Sequence, residues 1–194
     1  IISLKCIDVK AIRARNFKIV VDAVNGAGSD AVPQLLESLG CEVIRLNCDT
    51  DLDFPRPPEP LPQNISDLCS AVIEQNADAG FALDPDGDRL AVVSDNGETL
   101  SEEYTLVMAA DGFLSGGNSC STLVTNLSTT LALDKIADRY GTAVERTPVG
   151  EIHVVNKMKE CNSTLGGEGN GGVILSENHY GRDSLAAAAL VLNR

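Results

Sequence analysis

Short apolar runs alternate with amphipathic stretches along most of this chain. Phe17-Lys18-Ile19-Val20-Val21-Asp22 is β-branched and bounded by turn residues, the make-up of a strand. The turn Asn25-Gly26-Ala27-Gly28-Ser29 follows, after which Ala31, Val32, Leu35, Leu36 and Leu39 form one helical stripe. Ser29 is expected to cap that helix over residues 30–39 and Gly40 to end it. Residues 41–46 read as the next strand, completing a βαβ unit. Residues 47–62 are rich in Asp and Pro and cannot be regular throughout. A helix is expected over 65–75, with Asn64 as its cap and Leu68, Val72 and Ile73 inward. Strands follow at 78–83 and 90–94, and then a turn at Asp95-Asn96-Gly97.

The alternation restarts after Leu100. Ser101, Glu102 and Glu103 open a helix that runs through Leu106, Val107 and Ala110 to about Leu114. Strands are expected at 121–125 and 142–146. Helices are expected at 130–140, with Leu131, Ile136 and Ala137 inward, at 151–159 and at 185–193. Residues 1–15 fit either a short helix or a connecting strand. The strand–helix pattern therefore occurs twice. It predicts an α/β chain of two tandem three-layer domains of similar architecture, 1–100 and 101–194, with mixed sheets flanked by helices.

Candidate chemistry concentrates in Asp84-Pro85-Asp86-Gly87-Asp88-Arg89, set between two buried-looking strands. In an extended chain, side chains two apart point the same way, so the three carboxylates would crowd and repel. A divalent cation relieves that repulsion, and oxygen ligands suit Mg²⁺ or Ca²⁺. Gly87 allows a bend between the second and third carboxylates, and Arg89 adds a planar cation suited to phosphate. An acidic surface turn would explain Asp-Gly alone, but not three alternating aspartates followed by Arg. An EF-hand does not fit, because Gly is fourth in the loop and Asp95 stands twelfth. An aspartyl-phosphate phosphatase with Asp84 as nucleophile also follows a strand with Asp-x-Asp and remains open.

Two later loops add polar groups. Arg146-Thr147-Pro148-Val149-Gly150 joins a strand to a helix N-terminus, where anions are favoured, although an ordinary connector reads the same way. Gly166-Gly167-Glu168-Gly169-Asn170-Gly171-Gly172 is expected to be neither helix nor strand interior. It is either a flexible turn or a loop whose carboxylate and amide read sugar hydroxyls between unobstructing glycines. Gly26-Ala27-Gly28-Ser29-Asp30-Ala31 is only a weak match to a dinucleotide loop. His179 and Arg182 precede the last helix; the former reads as a surface or cap residue, and the latter has the reach for a phosphate.

Composition narrows the function. Of the 194 residues, 43% are apolar, and the net charge of −13 argues against a nucleic-acid or anionic-membrane surface, though not against small anionic substrates. The apolar run 185–192 is too short to span a bilayer. The six scattered cysteines read as reduced thiols, so the sequons at Asn64, Asn126 and Asn162 carry no weight and a cytoplasmic setting is expected. The chain opens on Ile1-Ile2 and is expected to be an excised piece of a longer protein.

The Asp84–Arg89 stretch resembles the metal-binding loop of the α-D-phosphohexomutases, a family of phosphoglucomutases, phosphomannomutases and phosphoglucosamine mutases. The segment from Phe54 to Pro60 is similar to a proline-rich segment of that family, and Arg146–Gly150 to its Lys/Arg-Thr-x-Val-Gly loop. Gly167–Gly172 resembles the family's sugar-binding loop, usually Gly-Glu-x-Ser-Gly-His, with Asn170 in place of Ser and Gly172 in place of His. The resemblance implies that residues 1–100 and 101–194 are the family's domains 2 and 3. It implies Mg²⁺ on Asp84, Asp86 and Asp88, and a hexose phosphate held by Arg89, Arg146, Glu168 and Asn170. It implies phosphate transfer between the 1- and 6-positions through a phosphoserine in domain 1, with a phosphate-anchoring loop in domain 4. Both would lie outside this chain, which then holds no catalytic residue and is inactive alone. Gly172 leaves the acid/base residue and the sugar preference unassigned. A non-catalytic metal- and sugar-binding module is the other reading kept open.

Overall fold

The computed structural model describes residues 1–194. The chain divides into two compact units. One comprises Ile2 and Val9–Glu102; the other comprises Ile1, Ser3–Asp8 and Glu103–Arg194. The N-terminal residues thus depart from a simple split near residue 100, because Ser3–Asp8 pack with the later unit. There Asn193 Nδ2 donates to the Cys6 carbonyl at 3.0 Å.

The earlier unit opens with the helix α1 (Val9–Arg15) and holds a five-stranded sheet in the order β2-β1-β3-β4-β5. The strands β1 (Lys18–Asp22), β2 (Glu42–Leu46) and β3 (Ala79–Leu83) are parallel; β4 (Leu90–Ser94) and the short β5 (Thr99–Leu100) are antiparallel. Ile19 to Asp22 are buried on both faces, as a central parallel strand requires. One face carries α3 (Ser66–Gln75), whose Leu68 and Val72 pack with Val20, Ala82, Ala91 and Val93. The other carries α2 (Gly28–Ser38), with Gly28 against Leu83.

Several details differ from expectation. Ser29 lies inside α2, where its Oγ donates to the Gly26 carbonyl at 2.7 Å; the helix starts earlier because the Gly26-Ala27 turn is already helical at Ala27. Asn64 does not cap α3. It ends a 3₁₀ turn, and its Nδ2 donates to the Glu59 carbonyl. Ile73 is 56% exposed and covers the Asp95–Gly97 turn from outside.

The later unit holds a four-stranded sheet in the order β7-β6-β8-β9. The strands β6 (Thr122–Asn126), β7 (Ala143–Thr147) and β8 (Leu165–Gly167) are parallel, and β9 (Val173–Leu175) is antiparallel to β8. The helix α6 (Glu151–Cys161) covers one face through Val154, Val155 and Met158. The helices α4 (Glu103–Ser115) and α7 (Ser184–Leu192) pack on the sheet's β8–β9 side and on each other, and α5 (Ala132–Tyr140) packs on β7 and α4. Leu131 is 70% exposed because it is the N-cap of a helix that begins two residues later than expected, and Leu133 takes the inward position. Gly166 and Gly167 lie in a strand, against expectation. Glycine is suited there because the sulfur of Met158 occupies the space a side chain at 166 would fill. Each unit is thus an α/β/α layering around a mixed sheet.

Candidate functional site

In each unit the first strand sits between its two parallel neighbours, so successive crossovers leave it in opposite directions. That is a topological switch point, and ligands of open α/β sheets bind at the carboxyl ends there. In the earlier unit the loop at this position is Asp84–Arg89, bridging the paired ends Leu83 and Leu90. In the later unit it is Glu168–Gly172, bridging Gly167 and Val173.

The three aspartates do converge, but not by strand alternation. The loop is a tight turn: the Gly87 amide donates to the Asp84 carbonyl at 3.1 Å, with Gly87 at φ 72°. Oδ1 of buried Asp84 accepts the backbone N–H groups of Asp88 and Arg89, both at 3.1 Å, so the chain wraps around that carboxylate. One ligand oxygen from each of Asp84, Asp86 and Asp88 then lies within 4.8 Å of the others. Burial, reinforced by the Asp88 and Asp86 charges, pushes the Asp84 carboxyl up to about 6, against the pull of the Arg89 amide and guanidinium. Arg89 Nε faces Asp84 Oδ2 at 3.4 Å and Asp88 Oδ1 at 3.7 Å without completing a hydrogen bond. Clustered hard oxygens, one of them on a carboxylate raised by burial and by its charged neighbours, form a donor set that fits Mg²⁺.

The turn after β1 supports this loop. The Ala27 amide donates to the Pro85 carbonyl at 2.8 Å, and any side chain at Gly26 would overlap that carbonyl. The Gly-x-Gly piece is therefore a cradle for the aspartate loop, and the dinucleotide match is incidental.

In the later unit Glu168 is only 3% exposed and fully engaged. Its Oε1 accepts Asn126 Nδ2 at 2.9 Å and the Gly150 amide at 3.1 Å. Its Oε2 accepts Arg182 Nη1 at 3.2 Å and Asn170 Nδ2 at 3.4 Å. Glu168 and Asn170 thus lie together, as the sequence suggests. The carboxylate also ties three loops, which spacing cannot reveal. Arg146 is turned inward, its guanidinium donating to the carbonyls of Asn126, Thr129 and Thr130 and pairing with Asp134 at 2.5 Å. Asn126, noted in the sequence only as a sequon, is buried, and its Oδ1 accepts from Ser128 and Thr129. A side chain at Gly172 would overlap the aliphatic stem of Arg182, so this arginine fills the place left by the missing side chain. Asp183 caps α7 through the amides of Leu185 and Ala186, and exposed His179 faces Asp183.

Two α/β/α units, each with a polar loop at its switch point, define a tandem α/β protein. Residues 1–97 match the family described as "Phosphoglucomutase/phosphomannomutase, alpha/beta/alpha domain II", and residues 101–194 match its "alpha/beta/alpha domain III". The chain belongs to the phosphoglucomutase/phosphomannomutase family. It is 41% identical over 187 residues to a phosphoglucomutase/phosphomannomutase of Thermococcus kodakarensis, covering 96% of this chain and 41% of that protein. It is 33% identical over 190 residues to a probable phosphoglucosamine mutase of Methanopyrus kandleri, covering 97% of this chain and 42% of that protein. A solved structure of a family protein from Burkholderia thailandensis superposes with a TM-score of 0.82 at 30% identity, covering 95% of this chain and 42% of that one. The chain thus spans about two fifths of the length of the relatives it matches. No helix is long and apolar enough to cross a membrane.

Proposed function

We propose that this chain is the central part of a phosphohexomutase that moves phosphate between the 1- and 6-positions of a hexose phosphate. The phosphoserine that gives and takes back the phosphoryl group lies on a part of the enzyme outside these residues. The observation that carries the reading is the convergence of Asp84, Asp86 and Asp88 at the switch point of a domain II match. These three residues would hold Mg²⁺, which when bound supplies positive charge for the transferring group. Arg89, beside Asp84 and Asp88, offers a second cation to a phosphate oxygen. Asn170 offers its amide to sugar hydroxyls, and Glu168, held by Arg182 and engaged by four donors, accepts a hydroxyl by releasing its long 3.4 Å bond to Asn170. Arg146 acts at a distance through its charge, because its donors are engaged by carbonyls and Asp134. Free cysteines throughout accord with a cytoplasmic enzyme.

The isolated chain is expected to turn over no hexose phosphate, and isomerisation of glucose 1-phosphate by the pure chain would overturn this reading. Calorimetry with Mg²⁺ on wild type and Asp86→Ala tests the metal site; equal binding by both refutes it. The phosphatase alternative requires Asp84 as an attacking nucleophile. Its Oδ1 is already bonded to two amides, and its Oδ2 faces Arg89 at 3.4 Å. Phosphate trapped on Asp84 by borohydride would revive that alternative.

A further inference from the structure

Within the proline-rich segment 54–60, the side chain of Arg56 turns inward and reaches the strand that delivers Asp84. Arg56 is 8% exposed and Asp22, the last residue of β1, is 1% exposed. Arg56 Nε donates to Asp22 Oδ2 at 2.8 Å, and Nη2 donates to the carbonyl of Leu83 at 2.8 Å. Nη1 donates to the carbonyls of Pro57 at 3.1 Å and Pro58 at 3.3 Å. Asp22 is itself fixed, its Oδ1 accepting the Val24 amide at 2.9 Å. In the sheet, Asp22 lies opposite Ala82, so the guanidinium bridges the carboxyl ends of β1 and β3 where the switch point opens.

We infer that Arg56 is a positioning residue for the metal loop, clamping Leu83 so that Asp84 leaves the sheet in the geometry that gathers the three carboxylates. The inference rests on the Mg²⁺ reading above. Its physical basis is the planar fork of arginine. One side chain with donors on several nitrogens satisfies a buried carboxylate and three carbonyls at once. Lysine could neutralise Asp22 but could not hold Leu83 in the same geometry. On the far side, the Ala27 amide holds the Pro85 carbonyl. Asp84 is therefore clamped at the residue before it and the residue after it. Releasing one clamp leaves the carboxylates present but no longer pre-arranged, and the ion must then order them on binding.

Mg²⁺ affinity of the 194-residue chain, by calorimetry and by competition against Mn²⁺, tests this. Arg56→Lys and the double variant Asp22→Asn/Arg56→Met are compared with wild type, Asp86→Ala and the core variant Val72→Ala. The double variant strands no buried charge and so guards against loss of folding. At a temperature where circular dichroism shows each variant folded, both Arg56 variants are expected to bind Mg²⁺ at least tenfold more weakly than wild type. Val72→Ala is expected to lower the melting temperature and keep wild-type affinity. Should Arg56→Lys and the double variant bind within twofold of wild type while Asp86→Ala does not bind, the positioning role is wrong and the metal site stands. Equal loss in Val72→Ala would also overturn it, because the effect would then follow stability alone. Absence of Mg²⁺ binding by wild type would overturn the metal reading and this inference with it.

Discussion

Replacing Glu168 by Gln changes shape little and tests how much the later unit depends on one carboxylate. All four partners of Glu168 are donors: Asn126 Nδ2 and the Gly150 amide on one oxygen, Arg182 Nη1 and Asn170 Nδ2 on the other. A glutamine keeps one oxygen. Whichever way its amide turns, its NH₂ faces donors. If the NH₂ faces Arg182, the guanidinium loses the Glu168 oxygen that now lies 3.2 Å from its Nη1. Losing a charge-assisted bond and turning two buried donors toward each other costs about 2–4 kcal/mol. For a unit of this size, each kcal/mol lowers the midpoint by about 4–8 °C, so a fall of roughly 8–32 °C is expected in that unit's transition. Scanning calorimetry of the chain at neutral pH measures it. Adding Arg182→Met to Glu168→Gln removes the conflict, so the double variant should lose less than the sum of the singles by about 1–3 kcal/mol. A Glu168→Gln melting within 2 °C of wild type, as a ~2 °C threshold is well under the expected fall, would refute the network as a source of stability.

Four further outcomes are expected. Gly172→His should expel the stem of Arg182 and destabilise the later unit by about 1–3 kcal/mol, with partial recovery on adding Arg182→Ala; thermal melts of single and double variants check it. Mg²⁺ affinity should fall about tenfold between pH 7 and pH 5, because Asp84 titrates near 6 and the proton competes with the ion; calorimetry at several pH values checks it. Since that pKa is raised on folding, the metal-free chain should hold its Asp84-linked stability below about pH 4 and lose it as pH rises through 6, and a flat profile would contradict the burial argument. Burial pushes the thiols of Cys6 and Cys41 up to about 11, so both should resist iodoacetamide at pH 8 in the native chain and react after denaturation, read by peptide mass spectrometry.

What was legible in the sequence follows the range of the interactions involved. β-branched runs such as 18–22 and 90–94 carry their own strand signal, and both strands form. Ile73 and Leu131 each fit a helical stripe and yet are exposed, because a stripe fixes only a direction, and the helix's start and end decide which residues meet the sheet. The strand β8 is hidden because glycine speaks against a strand locally, and β9 because a run of three apolar residues is too short to announce one. Gly166 is acceptable there only because α6, from another part of the chain, fills its side with Met158. The aspartate loop was found from the right residues by an inexact geometry: its carboxylates meet around a turn wrapped on Asp84. Arg56 and Asp22 are 34 residues apart, and Asn126 and Glu168 are 42 apart. No spacing rule reaches such pairs. They become neighbours because both members lie at carboxyl ends of parallel strands or in the loops that follow, and a parallel sheet gathers those ends on one edge whatever the chain distance. The chemical loop can therefore be read from sequence, whereas its supports depend on topology. A search for supports in related chains should begin at the strand neighbours of the loop rather than in the residues flanking it.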